Sequence, residues 1–378
     1  MSMRQTPPDN RCLVFVIEAL TVGGAEQMLV AMANRFVERG WRVHLICLTT
    51  AGELAERLDA RVEFSVLGKR PGFDWRLPWR LRQAIARINP VAINSHLWTA
   101  NLWTRVAFPF TRRRIVATEH SRDTWKPGHY RVIDRVLARW THRLVAVSSD
   151  TAAFYTDDIG IDPARVTVIN NGIDTARFSA GNGRALHAEW SPENAVLIGT
   201  VGRLVDAKNH LRLIEAADQL RERLDAFRVV IVGSGENRDT LQAAIDTRGL
   251  GDCVRLVGAR SDIPDVLAAF DLFVLSSDRE GHPLTALEAQ AAGTPVVLTD
   301  AGGSRDALAV DGDEVGGLVV EKSASALADA IHSLAADPQR RQDMAAVARR
   351  VALSAFDLDT MVDRYADTFV PTAPSRTD

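Results

Sequence analysis

The chain has 378 residues, 46% of them apolar and 25% charged, enough for two ordinary domains with separate cores. Cys12, Cys47 and Cys253 stand far apart in or beside apolar runs, which excludes a disulfide framework or a cysteine metal cluster and suits a reducing compartment. The formal net charge is −3, the polar start Met1–Asn10 carries no signal-peptide core, and no apolar run approaches the roughly 20 residues that span a bilayer, so a cytoplasmic location is expected.

Leu13-Val-Phe-Val-Ile17 reads as a buried strand and Thr21-Val-Gly-Gly24 as a turn. From Ala25 to Arg39 the residues Met28, Leu29, Met32, Phe36 and Val37 recur at helical spacing, Gly40 stops the helix, and Val43–Leu48 is a second strand. Strand, glycine turn, helix, strand is a βαβ unit with its ligand edge at the glycines. Further strands are expected at Val62–Leu67, Ala92–Asn94, Ile115–Thr118 and Leu144–Val147, with helices between them that include Val132–Arg139. Residues 1–172 thus form one Rossmann-like α/β domain.

After Val166–Ile169 come a turn-rich join, Asn170-Asn-Gly-Ile-Asp174, and a polar linker, Ser179–Arg184. The pattern then restarts. Val196–Val201 is a strand, Gly202-Arg-Leu a turn, Leu211–Leu224 a helix and Val229–Val232 a strand. Val254–Val257, Leu272–Leu275, Val296–Leu298 and Leu318–Val320 complete a second Rossmann-like domain over residues 173–356. The fold class is α/β, two doubly wound domains facing across a cleft. A last helix, about 357–370, carries Met361, Tyr365 and Phe369 at helical spacing and is expected to pack back on the first domain, with a disordered tail after Pro371.

Charge is unevenly shared. Residues 1–172 hold 24 Lys and Arg against 16 Asp and Glu, and the remainder 21 against 32. Lys69 to Arg143 alone has 16 basic and 4 acidic residues, with Trp75, Trp79, Trp98, Trp103, Trp125 and Trp140 among them. Basic residues interleaved with tryptophan suit an anionic membrane surface, with Arg112-Arg-Arg114 and Arg131, Arg135 and Arg139 as contacts; solvated helix faces over buried tryptophans are the alternative.

The densest chemistry lies at Glu280-Gly-His-Pro-Leu-Thr-Ala-Leu-Glu288, between the apolar run Asp271–Ser277 and a helix stop at Gly293. Pro283 suits the first helical position, leaving the N–H groups of Leu284 to Ala286 unpaired and facing an anion such as phosphate. Two carboxylates beside such a site suit sugar and ribose hydroxyls; an exposed loop glutamate and a solvated helix glutamate are the alternative. Gly202-Arg-Leu-Val-Asp-Ala-Lys-Asn209 places Arg203 and Lys208 at another strand end, where two cations can hold a diphosphate; a pair of solvated surface cations is the alternative. Gly233-Ser-Gly235 lacks the third glycine of a dinucleotide fingerprint, and Val257-Gly258 offers backbone to a base.

Together these motifs resemble the retaining family four glycosyltransferases, the group 1 glycosyl transferases of the GT-B fold. Glu280 and Glu288 match the family's paired-glutamate signature, Gly202-Arg-Leu with Lys208-Asn209 its diphosphate motif, Gly23-Gly-Ala-Glu26 its N-terminal glycine loop and Asn171-Gly-Ile-Asp174 its interdomain turn. The likeness runs over about residues 12 to 320, with one departure, Asp306 where the family usually has Glu. It implies that Glu280 holds donor-sugar hydroxyls beside the backbone of Gly281 and His282, that Glu288 holds the ribose, and that Arg203 and Lys208 neutralise the diphosphate. It further implies that Pro283, Leu284 and Thr285 line the donor site, that Gly23 and Gly24 let the first loop approach it, and that His120 meets the sugar from the first domain, with His96 a weaker candidate. No cofactor and no metal are implied: Asp311-Gly-Asp313 and Asp357-Leu-Asp359 have metal-site spacing but follow no buried strand.

The resulting expectation is a retaining hexosyltransferase that moves sugar from a nucleotide-diphosphate donor, UDP favoured over GDP, to a saccharide acceptor. The basic first domain suggests a lipid-linked, polyprenyl-diphosphate acceptor in polysaccharide or glycolipid synthesis, at the inner membrane face and with no nucleic acid partner. A GT-B isomerase or phosphorylase, or a non-catalytic nucleotide-sugar binding module, is the alternative. A phosphorylase would need a lysine for pyridoxal phosphate, and only Lys208 and Lys322 occur in the second half.

Overall fold

A computed structural model of the chain describes residues 11–111, 113–191 and 195–370. The polar start, Arg112 and the tail after Pro371 lie outside the described residues. The described chain divides into two units: one contains residues up to Gly172 with the helix Leu358–Phe369, the other Ile173–Asp357.

The first unit is built on seven parallel strands, β1 (Cys12–Ile17), β2 (Arg42–Cys47), β3 (Glu63–Val66), β4 (Ala92–His96), β5 (Arg114–Glu119), β6 (Arg143–Ala146) and β7 (Val166–Val168), in the order β3-β2-β1-β4-β5-β6-β7. The order reverses between β1 and β4, which opens a crevice at their C-terminal ends. Gly23-Gly24 follows β1, His96 ends β4, and His120 follows β5, so all three stand at that edge. The helix Gly24–Glu38 buries the predicted stripe Met28, Leu29, Met32, Phe36 and Val37. The helix Leu358–Phe369 packs beside it. Phe369 lies 6.3 Å from the ring of Phe15 and 5.7 Å from that of Phe36, and Arg35 and Arg39 pair with Asp359 at 2.5 and 2.7 Å.

The second unit has six parallel strands, β8 (Val196–Val201), β9 (Phe227–Val232), β10 (Val254–Gly258), β11 (Leu272–Leu275), β12 (Val296–Thr299) and β15 (Gly317–Val320), ordered β10-β9-β8-β11-β12-β15, with a separate two-residue hairpin, β13 (Val310–Asp311) and β14 (Glu314–Val315). Its strands are mostly apolar because both faces of the sheet are covered, with Arg228 on β9 and Arg255 on the edge strand β10 as exceptions. Ile198, Val229, Ile231, Leu272 and Val274 enter one core, and their neighbours Leu197, Val230, Val232, Phe273 and Leu275 the other. Here the reversal falls between β8 and β11, the two strands that carry the diphosphate and glutamate motifs.

One expectation is corrected, and two features are added to it. The helix placed at Val132–Arg139 runs from Gly128 to Leu137, starting after Pro127, and tightens into a 3-10 turn at Ala138–Trp140. The hairpin was not foreseen, because two-residue strands are too short to show alternation. Gly233 and Gly235 serve packing: a Cβ on Gly233 would lie 1.8 Å from the carbonyl oxygen of Gly202, and one on Gly235 2.4 Å from that of Leu204. The pair lets the β9 loop lie against the Arg203 loop, where Leu204 N–H donates to Ser234 O at 2.9 Å.

Candidate active site

In the second unit three strand-end loops come together. Gly202 to Asn209 follow β8, Ser276 to Glu280 follow β11, and Asp300 to Gly303 follow β12. Asn209 adopts a left-handed φ of 41°, caps the helix His210–Leu220 by accepting from Arg212 N–H, and donates through Nδ2 to Asp278 at 3.0 Å. Arg212 reaches across to Ser276 O and Asp278 Oδ1, each at 2.6 Å, and Ser276 Oγ donates to Asn209 O at 2.9 Å. Neutral and charged bonds therefore lock the two loops before any ligand arrives. Sequence reading missed Arg212, Ser277 and Asp278, which sit between the motif positions without matching any pattern.

Glu280 is not an exposed loop carboxylate. Its side chain is 8% exposed, receives Lys208 Nζ at 2.6 Å and Ser277 Oγ at 2.5 Å, and its backbone is clamped by Ala301 O at 2.6 Å and Gly303 N at 3.1 Å. Lys208 is thus paired with Glu280. Arg203 is exposed, with no side-chain hydrogen bond or ion pair among the described residues, and stands ready for an anion.

The helix Leu284–Ala292 begins one residue later than expected, with Pro283 as its N-cap. Ala286 N–H donates to Pro283 O at 3.1 Å and is not free; Leu284 and Thr285 N–H have no partner among the described residues. Gly293 ends the helix at φ 85°, as its left-handed preference requires. The ring of His282 is buried, donates from Nε2 to Asp306 O at 3.2 Å and is pushed down to about 4 by burial. Glu288 is half-buried, and loss of solvent around its carboxyl raises it to about 7, with Arg177 pulling the other way. Val257 and Gly258 end the edge strand β10, where Gly258 turns at φ 79° and its carbonyl accepts from Gly233 N–H.

In the first unit Gly23 is the extended N-cap of its helix, and a Cβ there would lie 2.3 Å from Glu26 Oε2; Gly24 is exposed. His96 is wholly buried and forms a chain: its Nε2 meets Asn94 Oδ1 at 2.8 Å, and its Nδ1 meets His120 Nε2 at 3.0 Å. Burial holds His96 well below the usual imidazole range and His120 at about 4, so both are neutral at ordinary pH. The loop after His120 is anchored by a buried charge cluster invisible in the sequence. Asp134 accepts from Arg105 and Lys126, each at 2.8 Å, Lys126 also pairs with Asp123 at 2.8 Å, and Glu119 beside them is raised to about 7 by burial.

Among the described residues no group of three or more His, Cys, Asp or Glu is placed to hold a metal. Asp311 sits on the exposed hairpin, paired with Arg350 at 3.0 Å, and Asp357 accepts from Thr175 Oγ1 at 2.6 Å.

Comparison with known proteins decides the family. Residues 185–351 match the model described as glycosyl transferases group 1, and residues 22–177 that described as glycosyltransferase family 4. The chain belongs to this family. It is 33% identical over 181 residues to the UDP-Gal:alpha-D-GlcNAc-diphosphoundecaprenol alpha-1,3-galactosyltransferase of Escherichia coli, a match covering 46% of this chain and 47% of that protein. It is 36% identical over 249 residues to the D-inositol 3-phosphate glycosyltransferase of Kineococcus radiotolerans, covering 61% and 57%. The matched stretches thus span about half the length of these curated relatives. The fold is that of the GT-B glycosyltransferases: Anabaena HepE, crystallised with UDP, superposes with a TM-score of 0.83 over 94% of this chain and 98% of its own, at 23% identity.

Proposed function

We propose that this glycosyltransferase moves a hexosyl group from a UDP-sugar to a saccharide acceptor with retention and without a metal. The observation that carries the reading is the convergence of Arg203, the Lys208–Glu280 pair and the helix start at Leu284 around one switch point. Charge developing on a departing diphosphate would meet one free cation, one cation already positioned and two unpaired N–H groups, the task a metal performs elsewhere. Glu280, clamped on both sides, is preorganised to accept from sugar hydroxyls, and Glu288 from the ribose. Glu119, the carboxylate that ends β5, is buried within its charge cluster and is not free to act as a covalent nucleophile. Front-face attack, with the leaving phosphate taking the acceptor's proton, fits that arrangement. UDP is favoured because the Escherichia coli relative is named for UDP-Gal and the Anabaena neighbour holds UDP. Thermal-shift screening of UDP-, GDP- and ADP-sugars, followed by transfer assays in excess EDTA, tests it. A UDP-sugar should raise Tm and be turned over with EDTA present; stabilisation by GDP-sugars alone, or activity restored only by Mg²⁺ or Mn²⁺, would overturn the respective half.

The acceptor reading is a lipid-linked saccharide met at an anionic membrane surface. It draws support from the exposed face of the first unit. Phe73, Trp75 and Trp79 are 82%, 69% and 63% exposed, whereas Trp103 is buried. Arg76, Arg82 and Arg87 lie exposed along the same loop and the helix Leu77–Ile88. Between Asp74 and Glu119 the sequence has no acidic residue, and Asp74 is buried, accepting from Arg80 at 2.5 Å and holding the loop that shows Phe73 and Trp75 to solvent. The anticipated contacts on the helix Gly128–Leu137 are partly engaged: Arg135 Nε donates to Ile159 O at 2.6 Å, and Arg131 lies over Phe154. No helix among the described residues is long and apolar enough to cross a membrane. Co-sedimentation with anionic vesicles at low salt, lost at high salt and in Trp75→Ser/Trp79→Ser, is the expected outcome. Equal sedimentation with neutral and anionic vesicles would remove the membrane and favour a small soluble acceptor, the kind named for the Kineococcus relative.

A further inference from the structure

The polar ladder in the first unit leaves little freedom about where its protons lie. Asn94 and His96 are alternate residues on β4, Thr118 and His120 alternate residues at and just beyond the end of β5, and the register pairs His96 with Thr118. Asn94 Nδ2 donates to Val116 O at 3.0 Å and to Thr118 Oγ1 at 2.9 Å. A carbonyl oxygen only accepts, so the amide nitrogen of Asn94 is fixed on that side and its Oδ1 faces His96. His96 Nε2, 2.8 Å from that oxygen, must then carry a proton. His96 has no solvent exposure and packs 6.1 Å from the ring of Phe15, which itself lies 6.3 Å from the ring of Phe369. A second proton would make a buried imidazolium there, so Nδ1 holds a lone pair. The 3.0 Å contact to His120 is therefore a bond in which His120 Nε2–H donates.

We propose that His96 is a positioning residue: by accepting from His120 Nε2–H it holds His120 in that tautomer and leaves His120 Nδ1 as a bare acceptor for a hydroxyl of the transferred sugar. The identity of the partner as a sugar rests on the function proposed above; the tautomer itself does not. The chain Asn94, His96, His120 conveys a hydrogen-bond polarity set at a backbone carbonyl in the sheet to the half-buried ring at its edge. It also defines what His120 does: with Nε2–H committed inward and Nδ1 unprotonated, it takes a hydrogen bond from substrate and neither donates one nor carries charge. Leu97, next to His96, is held at φ 68°, a left-handed conformation that a leucine keeps only where its surroundings over-determine it, so the end of β4 is fixed in backbone as well as side chain.

Two-bond proton–nitrogen correlation spectra of the full chain, labelled with ¹⁵N at histidine and assigned by loss of signals in His96→Gln and His120→Gln, read the tautomers directly. Both rings should show the Nε2–H pattern in the wild-type protein, and an Nδ1–H pattern for His120 would overturn the proposal. His96→Gln supplies a carbonyl to His120 and an amide to Asn94, so the tautomer and UDP release from UDP-galactose or UDP-glucose should stay within about threefold of wild type. His96→Leu removes the acceptor. His120 should pass to a mixture of tautomers, with kcat down about tenfold and UDP affinity unchanged, the loss expected for one misdirected hydrogen bond. An unchanged His120 tautomer in His96→Leu would overturn the role of His96. A shifted tautomer with unchanged kcat would overturn the contact between His120 and the sugar while leaving the relay in place.

Discussion

The two switch points share an architecture and differ in electrostatics. At the edge of β4 and β5 the functional groups are neutral, buried and bonded in series, with both histidines far below their usual titration range. At the edge of β8 and β11 they are charged, and opposite charges hold one another. The contrast fits what each edge would meet in the proposed reaction. Hydroxyls of a sugar are best discriminated by fixed neutral donors and acceptors, because an unpaired charge buried beside them would cost more than the bond returns. A diphosphate needs cations, and a cation kept in a protein edge needs a partner until substrate comes. Lys208 has Glu280 as such a partner, and Arg203 is exposed.

The largest effect should come from breaking the charged edge. Arg203→Ala and Lys208→Ala should each lower turnover by about 10²-fold or more, the usual cost of one transition-state donor. The pairing adds a second expectation. Lys208→Ala strands the Glu280 carboxylate at 8% exposure, so part of its loss belongs to Glu280. The double variant Lys208→Ala/Glu280→Gln should then be no worse than Lys208→Ala alone by more than about threefold, a strong departure from additivity. Steady-state kinetics on the four proteins checks this. Losses that multiply would mean that lysine and glutamate act separately and that their contact has no bearing on turnover.

What could be read without coordinates was whatever repeats or is set by local geometry. Both parallel sheets announced themselves through apolar runs separated by glycine turns, and Gly293 marked a helix end because few residues other than glycine sit at φ 85°. Glu280, Glu288, Arg203 and Lys208 were found as a pattern along the chain, but their states were not, because burial and pairing are tertiary facts. The same limit explains Arg105 and Lys126. In a stretch of 16 basic residues nothing distinguishes the two that lie inside the fold beside Asp134 from those in water. His96 ranked low for a related reason: its importance lies in Asn94 two residues earlier and His120 on the next strand, a juxtaposition that only the register of β4 and β5 creates. Arg112, one of the anticipated lipid contacts, lies outside the described residues.

A smaller effect sharpens the comparison from within the charged edge, because Glu288 differs from its partner there. Glu280 has a cation at 2.6 Å, whereas Glu288 is raised to about 7 by burial, against a usual carboxylate value of 4.5. The unliganded fold therefore holds a proton on Glu288 that the unfolded chain has released, and its contribution to stability is lost as pH rises from 4.5 through about 7. Ribose hydroxyls that donate to this carboxylate favour its ionised form. UDP should consequently bind with release of a proton near pH 6, and more tightly as pH rises from about 5.5 to 7.5. The second ionisation of UDP, near pH 6, adds a dependence of its own, which the comparison with Glu288→Gln cancels. That variant should bind UDP about tenfold more weakly at pH 8, lose the extra proton release and, without ligand, melt higher than wild type at pH 8 but not at pH 5. Glu280→Ala should bind UDP near normally, since its partner is the sugar. Calorimetry in buffers of different ionisation enthalpy measures the proton count; identical counts for wild type and Glu288→Gln would take the ribose away from Glu288.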